Sequence, residues 1–389
     1  MIRIGEPRVI ESGNKARLIC DILVDEKKKE IFLEVDLGYG KYLCTERADA
    51  YLIVLFYYAM RNGHDIVCDS PVTEDLYYQI TEYLIPVLIE KGRGILKNIT
   101  INCQTASNIE NAGAVVTGLT CGVDSFHAIL NNLNSKYRSR RLTHLIIMSL
   151  ADSYKKKGNY EMISNKLYEK ARIVSEKLEL PLVEINSNIR ELFPIPPMHT
   201  LIRTFGIYAL QKLFSVYYFA SGFPIWTFNI NDSITTDSAR YDLFLCKELS
   251  TKNLTIYSEG AQRNRYDKLE YIVDNDIVKK NLHVCIEDYI NCGECSKCIR
   301  TMCALDCMDK LYDYKNVFDV EKYYNNIDYY LNKVIDLYNQ EDIFIYEYID
   351  KLFFKYQDNS IVRNFQKRGD ISSGCCYRCY KKADCIREK

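Results

Sequence analysis

Two groups of residues in this chain combine types and spacings suited to chemistry. The first is Gly118-Leu119-Thr120-Cys121-Gly122-Val123-Asp124-Ser125, which follows the apolar run Ala114-Val115-Val116 and opens an amphipathic stretch from Phe126 to Leu133. A strand, a turn of small residues and a helix, in that order, aim backbone N–H groups and the positive end of a helix dipole at one point. Phosphate is the usual occupant of such a point. The plainer alternative is a turn in which Gly118 and Gly122 supply only backbone freedom. No Gly-Lys-Ser/Thr closes the segment and the G-x-G-x-x-G spacing is missing, so it is neither a Walker loop nor a dinucleotide fingerprint.

The second group is Cys285 with Cys292-Gly293-Glu294-Cys295-Ser296-Lys297-Cys298. Two overlapping Cys-x-x-Cys steps and one earlier cysteine supply four thiolates, and Gly293 permits the tight knuckle that turns the sulfurs toward one ion. Four sulfurs at this spacing suit tetrahedral Zn²⁺, with an iron–sulfur cluster or disulfides as the alternatives. A closed four-thiolate site leaves no position for substrate, so the zinc is expected to be structural.

These residues need elements to hold them. Residues 16–24 and 29–35 alternate or are β-branched about the charged turn Asp25-Glu26-Lys27-Lys28, which predicts an antiparallel pair. Residues 46–61 read as a buried helix closed by Asn62-Gly63, residues 65–68 as a short strand, and Ser70-Pro71 as the cap of a helix reaching Glu90. From residue 112 the pattern becomes strand 114–117, helix 124–133, strand 143–149, helix 159–179, strand 182–186, helix 199–219 and strand 224–230. Such alternation predicts an α/β fold with a parallel sheet, whose ligand crevice lies at the carboxyl ends of the strands. The turn after the first of these strands and Ser149-Leu150-Ala151 after the second both reach that crevice. Beyond residue 310 the chain reads as polar, tyrosine-rich helices. The expected divisions are an α+β domain over 1–110, a nucleotide-handling domain with the cysteine knuckle over 111–310, and a helical region with a cysteine-rich tail over 311–389.

Composition narrows the class. The chain has 389 residues, 48% of them hydrophobic, enough for two or three domains with sizeable cores. A formal net charge of -1 gives no global attraction to nucleic acid or anionic membrane, so any polyanion site must be local. The start, Met1-Ile2-Arg3-Ile4-Gly5-Glu6-Pro7, carries no basic segment followed by an apolar one, and the most apolar stretch, 51–60, is too short to span a bilayer. The expectation is a cytoplasmic protein, whose 16 cysteines serve metal binding and buried thiols. Tyrosine, at 32 residues, reads as compositional bias. Cys375, Cys376, Cys379 and Cys385 form either a second metal knuckle or a tail of free thiols, and Cys303 and Cys307 are expected to pack against the first knuckle.

Thr120, Gly122, Asp124 and Ser125 resemble the S-G-G-x-D-S loop of the PP-loop ATP pyrophosphatases, with Cys121 in place of the first glycine. That resemblance implies a PP-loop core (an adenine nucleotide alpha hydrolase-like fold) in which Gly118, Leu119, Thr120, Cys121, Gly122, Val123, Asp124, Ser125 and Ser149 bind ATP. The amides hold the phosphates and the Ser125 hydroxyl donates to them. Asp124 lies near phosphates that would repel it unless Mg²⁺ sits between. Cys121 is a tolerated substitution or a reactive thiol near a helix N-terminus, and the first reading is preferred because glycine there is structural.

A PP-loop followed by a four-cysteine zinc knuckle resembles the 7-cyano-7-deazaguanine synthase (QueC-like) family over residues 112–305. The first cysteine spacer of that family is usually two residues longer, and the flanking regions have no counterpart in its short members. Family members activate 7-carboxy-7-deazaguanine with ATP as an adenylate and let ammonia displace AMP, giving an amide and then a nitrile. The resemblance implies a carbon–nitrogen ligase that releases AMP and pyrophosphate, with ATP, Mg²⁺ and Zn²⁺ as cofactors. Asp124, Ser125 and Lys268 are its catalytic candidates; Arg263 and Arg265 would bind pyrophosphate or the substrate carboxylate. Arg263, Arg265 and Lys268 suit a solvated basic face equally well, and Arg300 is a further candidate. His199, after Pro194-Ile195-Pro196-Pro197, is a candidate base for the attacking amine, whereas His127 reads as structural.

Three other outcomes stay open. The extra regions would present a protein amine in place of ammonia, giving a deazaguanine–protein conjugate of the kind associated with antiphage defence. A tRNA sulfur-transfer enzyme predicts a basic surface and a thiol pair near ATP. A scaffold disabled by Cys121 would bind ATP without turnover. Partner expectations are therefore ATP, a 7-deazaguanine-type molecule, a protein acceptor and a second copy in a homodimer, without a membrane.

Overall fold

The computed structural model describes residues 1–148, 160–193, 198–231 and 236–367. Ser149, the Pro194-Ile195-Pro196-Pro197 segment and Cys375, Cys376, Cys379 and Cys385 lie outside these ranges. The chain divides into two compact units, the first built from 1–120 and 124–263, the second from Cys121–Val123 and residues from Asn264 onward.

The first unit is α/β. Its strands are β1 (Ile2–Ile4), β2 (Arg8–Ser12), β3 (Lys15–Val24), β4 (Lys27–Asp36), β5 (Ile66–Cys68), β6 (Val72–Thr73), β7 (Ile101–Asn102), β8 (Thr105–Ala106), β9 (Ala114–Gly118), β10 (His144–Met148), β11 (Leu182–Ser187), β12 (Phe214–Ala220) and β13 (Thr255–Glu259). Eleven of them form one sheet in the order β13-β12-β9-β10-β11-β4-β3-β1-β5-β7, with β2 beside β3, while β6 and β8 pair separately. The run β13-β12-β9-β10-β11 is parallel throughout. From β9 the chain builds outward to β10 and β11 on one side, then returns to lay β12 and β13 on the other. Strand order therefore reverses beside β9, and its carboxyl end is a topological switch point.

The β3–β4 hairpin has the expected alternation, and its turn residues Asp25 and Glu26 both take positive φ, as a type I′ turn requires. The Asp49–Asn62 helix ends where Gly63 adopts φ 69° and returns its N–H to Ala59 O. Ser70-Pro71 does not cap the next helix. Val72-Thr73 instead pairs with Thr105-Ala106, and the Thr73 hydroxyl donates to the buried Asp49 carboxylate at 2.6 Å. The helix begins at Glu74 and passes through a π-turn over Ile80–Leu84. Pro86 follows at once; its missing N–H cannot close the regular ladder, and the widened turn accommodates that gap.

Helix 199–219 is also corrected. The helix is His199–Ala209, a turn follows, and Phe214–Ala220 is the strand β12; residues Ile225–Thr227 form a 3₁₀ turn rather than a strand. The run Phe-Ser-Val-Tyr-Tyr-Phe-Ala is apolar on both faces, a pattern equally compatible with a buried helix until neighbouring strands are known. Gly206 lets that helix approach β10, since a Cβ there would stand 2.7 Å from Met148 Cε.

Antiparallel pairing of β11 with β4 joins the parallel run to the rest of the sheet through only two register pairs, Asn186↔Glu34 and Ser187↔Leu33. Side chains extend this short ladder. Asn188 accepts from Phe32 N at 2.9 Å through Oδ1 and donates to Glu30 O at 2.8 Å through Nδ2, so its amide substitutes for one more peptide unit. Ser187 Oγ donates to Phe32 O at 2.6 Å.

The second unit is helical, and tyrosine has a structural task in it. Asp306, fully buried on the Ser296–Cys307 helix, accepts from Tyr323 at 3.0 Å, Tyr324 at 2.9 Å, Tyr356 at 2.7 Å and Lys355 at 2.9 Å. A buried carboxylate is tolerable only when its lone pairs are satisfied in this way. Among the described residues no helix is long and apolar enough to cross a membrane.

Asn188→Ala deletes both hydrogen bonds that prolong the β11–β4 ladder. Denaturant unfolding is expected to show a loss of about 1–2 kcal/mol, with less than about 0.5 kcal/mol for an exposed control such as Glu176→Ala.

Candidate functional site

The turn after β9 is closed by one hydroxyl. Ser125 Oγ accepts from Thr120 N at 3.1 Å and donates to Gly118 O at 2.7 Å, while Leu119 N is fixed to Ile146 O of β10 at 2.8 Å. Ser125 is 4% exposed, and its single proton is committed to Gly118 O. Donation to a phosphate therefore requires that bond to be exchanged. Cys121 adopts φ 57°, in the left-handed region that costs a residue with a Cβ about 1–2 kcal/mol. This is the position at which the resembling loop carries glycine, and the backbone keeps the conformation that glycine would favour. Cys121 is buried, and its carbonyl accepts from His283 N at 2.8 Å within the second unit.

The Val123–Leu133 helix begins directly after the turn. Amides in a first helical turn lack i−4 partners by geometry, so those of Gly122, Val123 and Asp124 occupy the region where an anion is best stabilised. Asp124 sits half-buried in that turn. His127 is completely buried, in keeping with a structural place.

Other groups converge on the carboxyl ends of the parallel strands. Asp242, 3% exposed, accepts from Ser221 Oγ and Ser258 Oγ at 2.8 Å each and so ties the end of β12 to β13. Asn131 of the loop helix donates to Glu259 at 2.8 Å, and Arg203 reaches Met148 O at 3.4 Å. None of these was singled out by motif. Arg203 was the most discoverable, four residues after His199 and thus on one helical face; His199 itself is exposed at the helix start.

The remaining expected cations belong to different units. Arg263 closes the first unit, whereas Arg265 and Lys268 lie on the Arg265–Ile272 helix of the second. Lys268 is 1% exposed, unlike a residue of a solvated face. Within the second unit Arg265 shares a cavity of about 10 Å³, the room of one water, with Val123, Arg300, Thr301, Glu347 and Tyr348. Arg300 is held by both oxygens of Asp342 at 3.1 and 3.0 Å and lies over the Phe344 ring, so this cation is already paired. Glu347 accepts from Tyr266 N at 2.9 Å through one oxygen; the other oxygen and the Tyr348 hydroxyl are buried without a hydrogen-bond partner among the described residues. Burial pushes the Glu347 carboxyl up to about 7, against the opposing pull of the Tyr266 and Arg265 amides and the Arg265 and Lys268 charges.

The cysteine knuckle assembles as its spacing predicts. The Sγ atoms of Cys285, Cys292, Cys295 and Cys298 all lie within 4.8 Å of one another, a donor set able to hold a metal ion such as zinc. Gly293 takes φ 76°. Cys292 Sγ accepts from Glu294 N at 3.4 Å and Cys295 N at 3.3 Å, and Cys285 Sγ from Glu287 N at 3.3 Å, the N–H···S contacts that orient sulfurs in a knuckle. Asn291 Oδ1 braces the knuckle by accepting from Val284 N at 2.9 Å and Cys285 N at 3.2 Å. Cys303, fully buried on the following helix, is met by the Tyr323 hydroxyl at 3.6 Å. Compared with known protein families, curated proteins and solved structures, the chain matches none of them.

Two measurements follow from this geometry. Elemental analysis of the purified chain is expected to find about one zinc per molecule; Cys295→Ser loses it and exposes the second unit to proteolysis. For Glu347 the folded pKa lies above the ordinary carboxyl value, so folding favours the protonated form. Its contribution is complete below about pH 4.5 and is lost as pH rises through about 7. Glu347→Gln removes this term, and urea titrations between pH 5 and 8 are expected to show the variant's stability declining less, by on the order of 2 kcal/mol.

Proposed function

We propose that this chain is an ATP-dependent carbon–nitrogen ligase of the 7-cyano-7-deazaguanine synthase type. It adenylates a carboxylate, that of a 7-carboxy-7-deazaguanine, releases pyrophosphate, and passes the acyl group to ammonia or an amine. The observation that carries the reading is the position of the Gly118–Ser125 turn: it ends β9 at the point where strand order reverses, with a helix N-terminus directly behind it. The four-cysteine cluster supports the same reading as a structural companion.

A carboxylate is a poor electrophile, and its conversion to a mixed anhydride with AMP supplies a leaving group. In the proposed reaction the amides at the start of the Val123–Leu133 helix hold the phosphates, and Ser125 keeps the turn in shape. Asp124 would hold Mg²⁺, which supplies charge neutralisation at the phosphates. The remaining demand is exclusion of water, because water competes with the amine for the anhydride.

The test is a reaction containing ATP, Mg²⁺, 7-carboxy-7-deazaguanine and ammonium, followed by pyrophosphate release and mass spectrometry of the heterocycle. Pyrophosphate in step with an amide or nitrile is the expected result, with Asp124→Asn slowing release by about 100-fold or more while leaving the circular dichroism unchanged. Absence of both ATP binding and pyrophosphate release from the folded, zinc-loaded chain overturns the reading.

A further inference from the structure

We propose that Cys68 and Cys103 form a reversible disulfide at the edge of the sheet, which makes the pair a peroxide-sensitive modification site independent of the ligase reading. Parallel strands β5 and β7 pair Ile66 with Ile101 and Val67 with Asn102, so Cys68 and Cys103 are the next residues opposite each other. Neighbouring strands stand about 4.8 Å apart, within the separation of about 4.4–6.8 Å that the Cα atoms of a disulfide span. Residues opposite each other in a parallel pair project to the same face, and the two thiols are in hydrogen-bonding contact.

The two sulfurs differ in a way that assigns their roles. Cys103 is half-buried and reachable; Cys68 is buried behind it. The Cys68 thiol donates toward Cys103, which lowers the Cys103 pKa and raises that of Cys68, while burial and the nearby Asp49 carboxylate oppose ionisation of Cys103. Cys20, the other cysteine on this part of the sheet, is fully buried and pushed up to about 12 by burial, so it does not compete as the reactive thiolate. An accessible attacking thiol with a resolving thiol beside it is the arrangement that peroxide-sensitive pairs require.

The oxidant is hydrogen peroxide. The Cys103 thiolate attacks one peroxide oxygen; an S–O bond forms, the O–O bond breaks, and hydroxide leaves to become water with the proton Cys103 gave up. Cys68 then attacks the sulfenic sulfur; the S–S bond forms, the S–O bond breaks, and the departing hydroxide takes the Cys68 proton as a second water. In sum two thiols and one peroxide give a disulfide and two waters, with two electrons passing from sulfur to oxygen. A thiol reductant reverses the change.

The zinc-loaded full chain is treated with a small molar excess of hydrogen peroxide, alkylated and digested without reductant. Tandem mass spectrometry is expected to find the Cys68 and Cys103 peptides joined and lighter by two hydrogens, with fragments placing the bond at Cys103 and not at Cys121 of the same tryptic peptide. Dithiothreitol restores both thiols. Cys103→Ser abolishes the bridge and leaves Cys68 alkylatable, whereas Cys68→Ser leaves Cys103 as a sulfenic acid that dimedone traps. Recovery of both wild-type cysteines as alkylated thiols, a bridge to any other cysteine, or Cys103 sulfinic acid without a bridge overturns the proposal.

Discussion

A single hydroxyl sets the geometry on which the candidate site depends. By taking the Thr120 amide proton and giving its own to Gly118 O, Ser125 folds the end of β9 back onto the first turn of the following helix. Everything proposed for anion binding needs the helix axis, the strand end and the intervening amides to meet at one place. Those two bonds, at 3.1 and 2.7 Å, draw the strand end and the first helical turn together. Cys121 meets the constraint at a local cost, because its backbone accepts a left-handed φ that its Cβ disfavours. A conformation retained against residue preference indicates that the surrounding bonds, including His283 N to Cys121 O, determine it.

The same economy of polar groups recurs elsewhere. Asp49, Asp242 and Asp306 are all buried carboxylates, and each gathers donors from segments that are distant along the chain: Thr73 and Gln211 for the first, Ser221 and Ser258 for the second, three tyrosines and Lys355 for the third. Buried polar atoms of this kind specify one arrangement, because slippage of any participating element would strand a desolvated carboxylate. Glu347 departs from the pattern. One of its oxygens has no hydrogen-bond partner among the described residues, and burial makes it a carboxyl group that holds its proton toward neutrality.

What could be read from the chain follows a physical division. Local chemistry was legible: Gly63 closes its helix, Gly293 turns the knuckle, and the small residues after Val116 mark a strand-to-helix turn because each acts within a few residues of itself. The cysteine cluster was equally open, since Cys-x-x-Cys spacing brings sulfurs together with little help from the rest of the fold. Long-range partners were hidden. Asn291 braces the knuckle through backbone donors with no sequence pattern of their own, and Asp242 finds its serines only once β12 and β13 lie side by side. Phe214–Ala220 was misassigned because an apolar run buried on both faces has no period to separate strand from helix. The union of β4 with β11 joins residues such as Phe32 and Ser187, 155 positions apart, and no local pattern encodes it.

That union has a consequence for how the chain is made. On the ribosome β4 emerges long before β11 exists, so one side of a ten-residue strand must wait with its peptide groups unanswered while much of the polypeptide is still being synthesised. An open strand edge recruits whatever extended chain is near, including a second nascent copy. The Lys27-Lys28-Lys29-Glu30 run at its start, with Glu34 farther along, places charge where a stray strand would have to dock. Translation of residues 182–188 then covers the part of the edge from Glu30 to Glu34, and before that charge guards this stretch against the wrong neighbour.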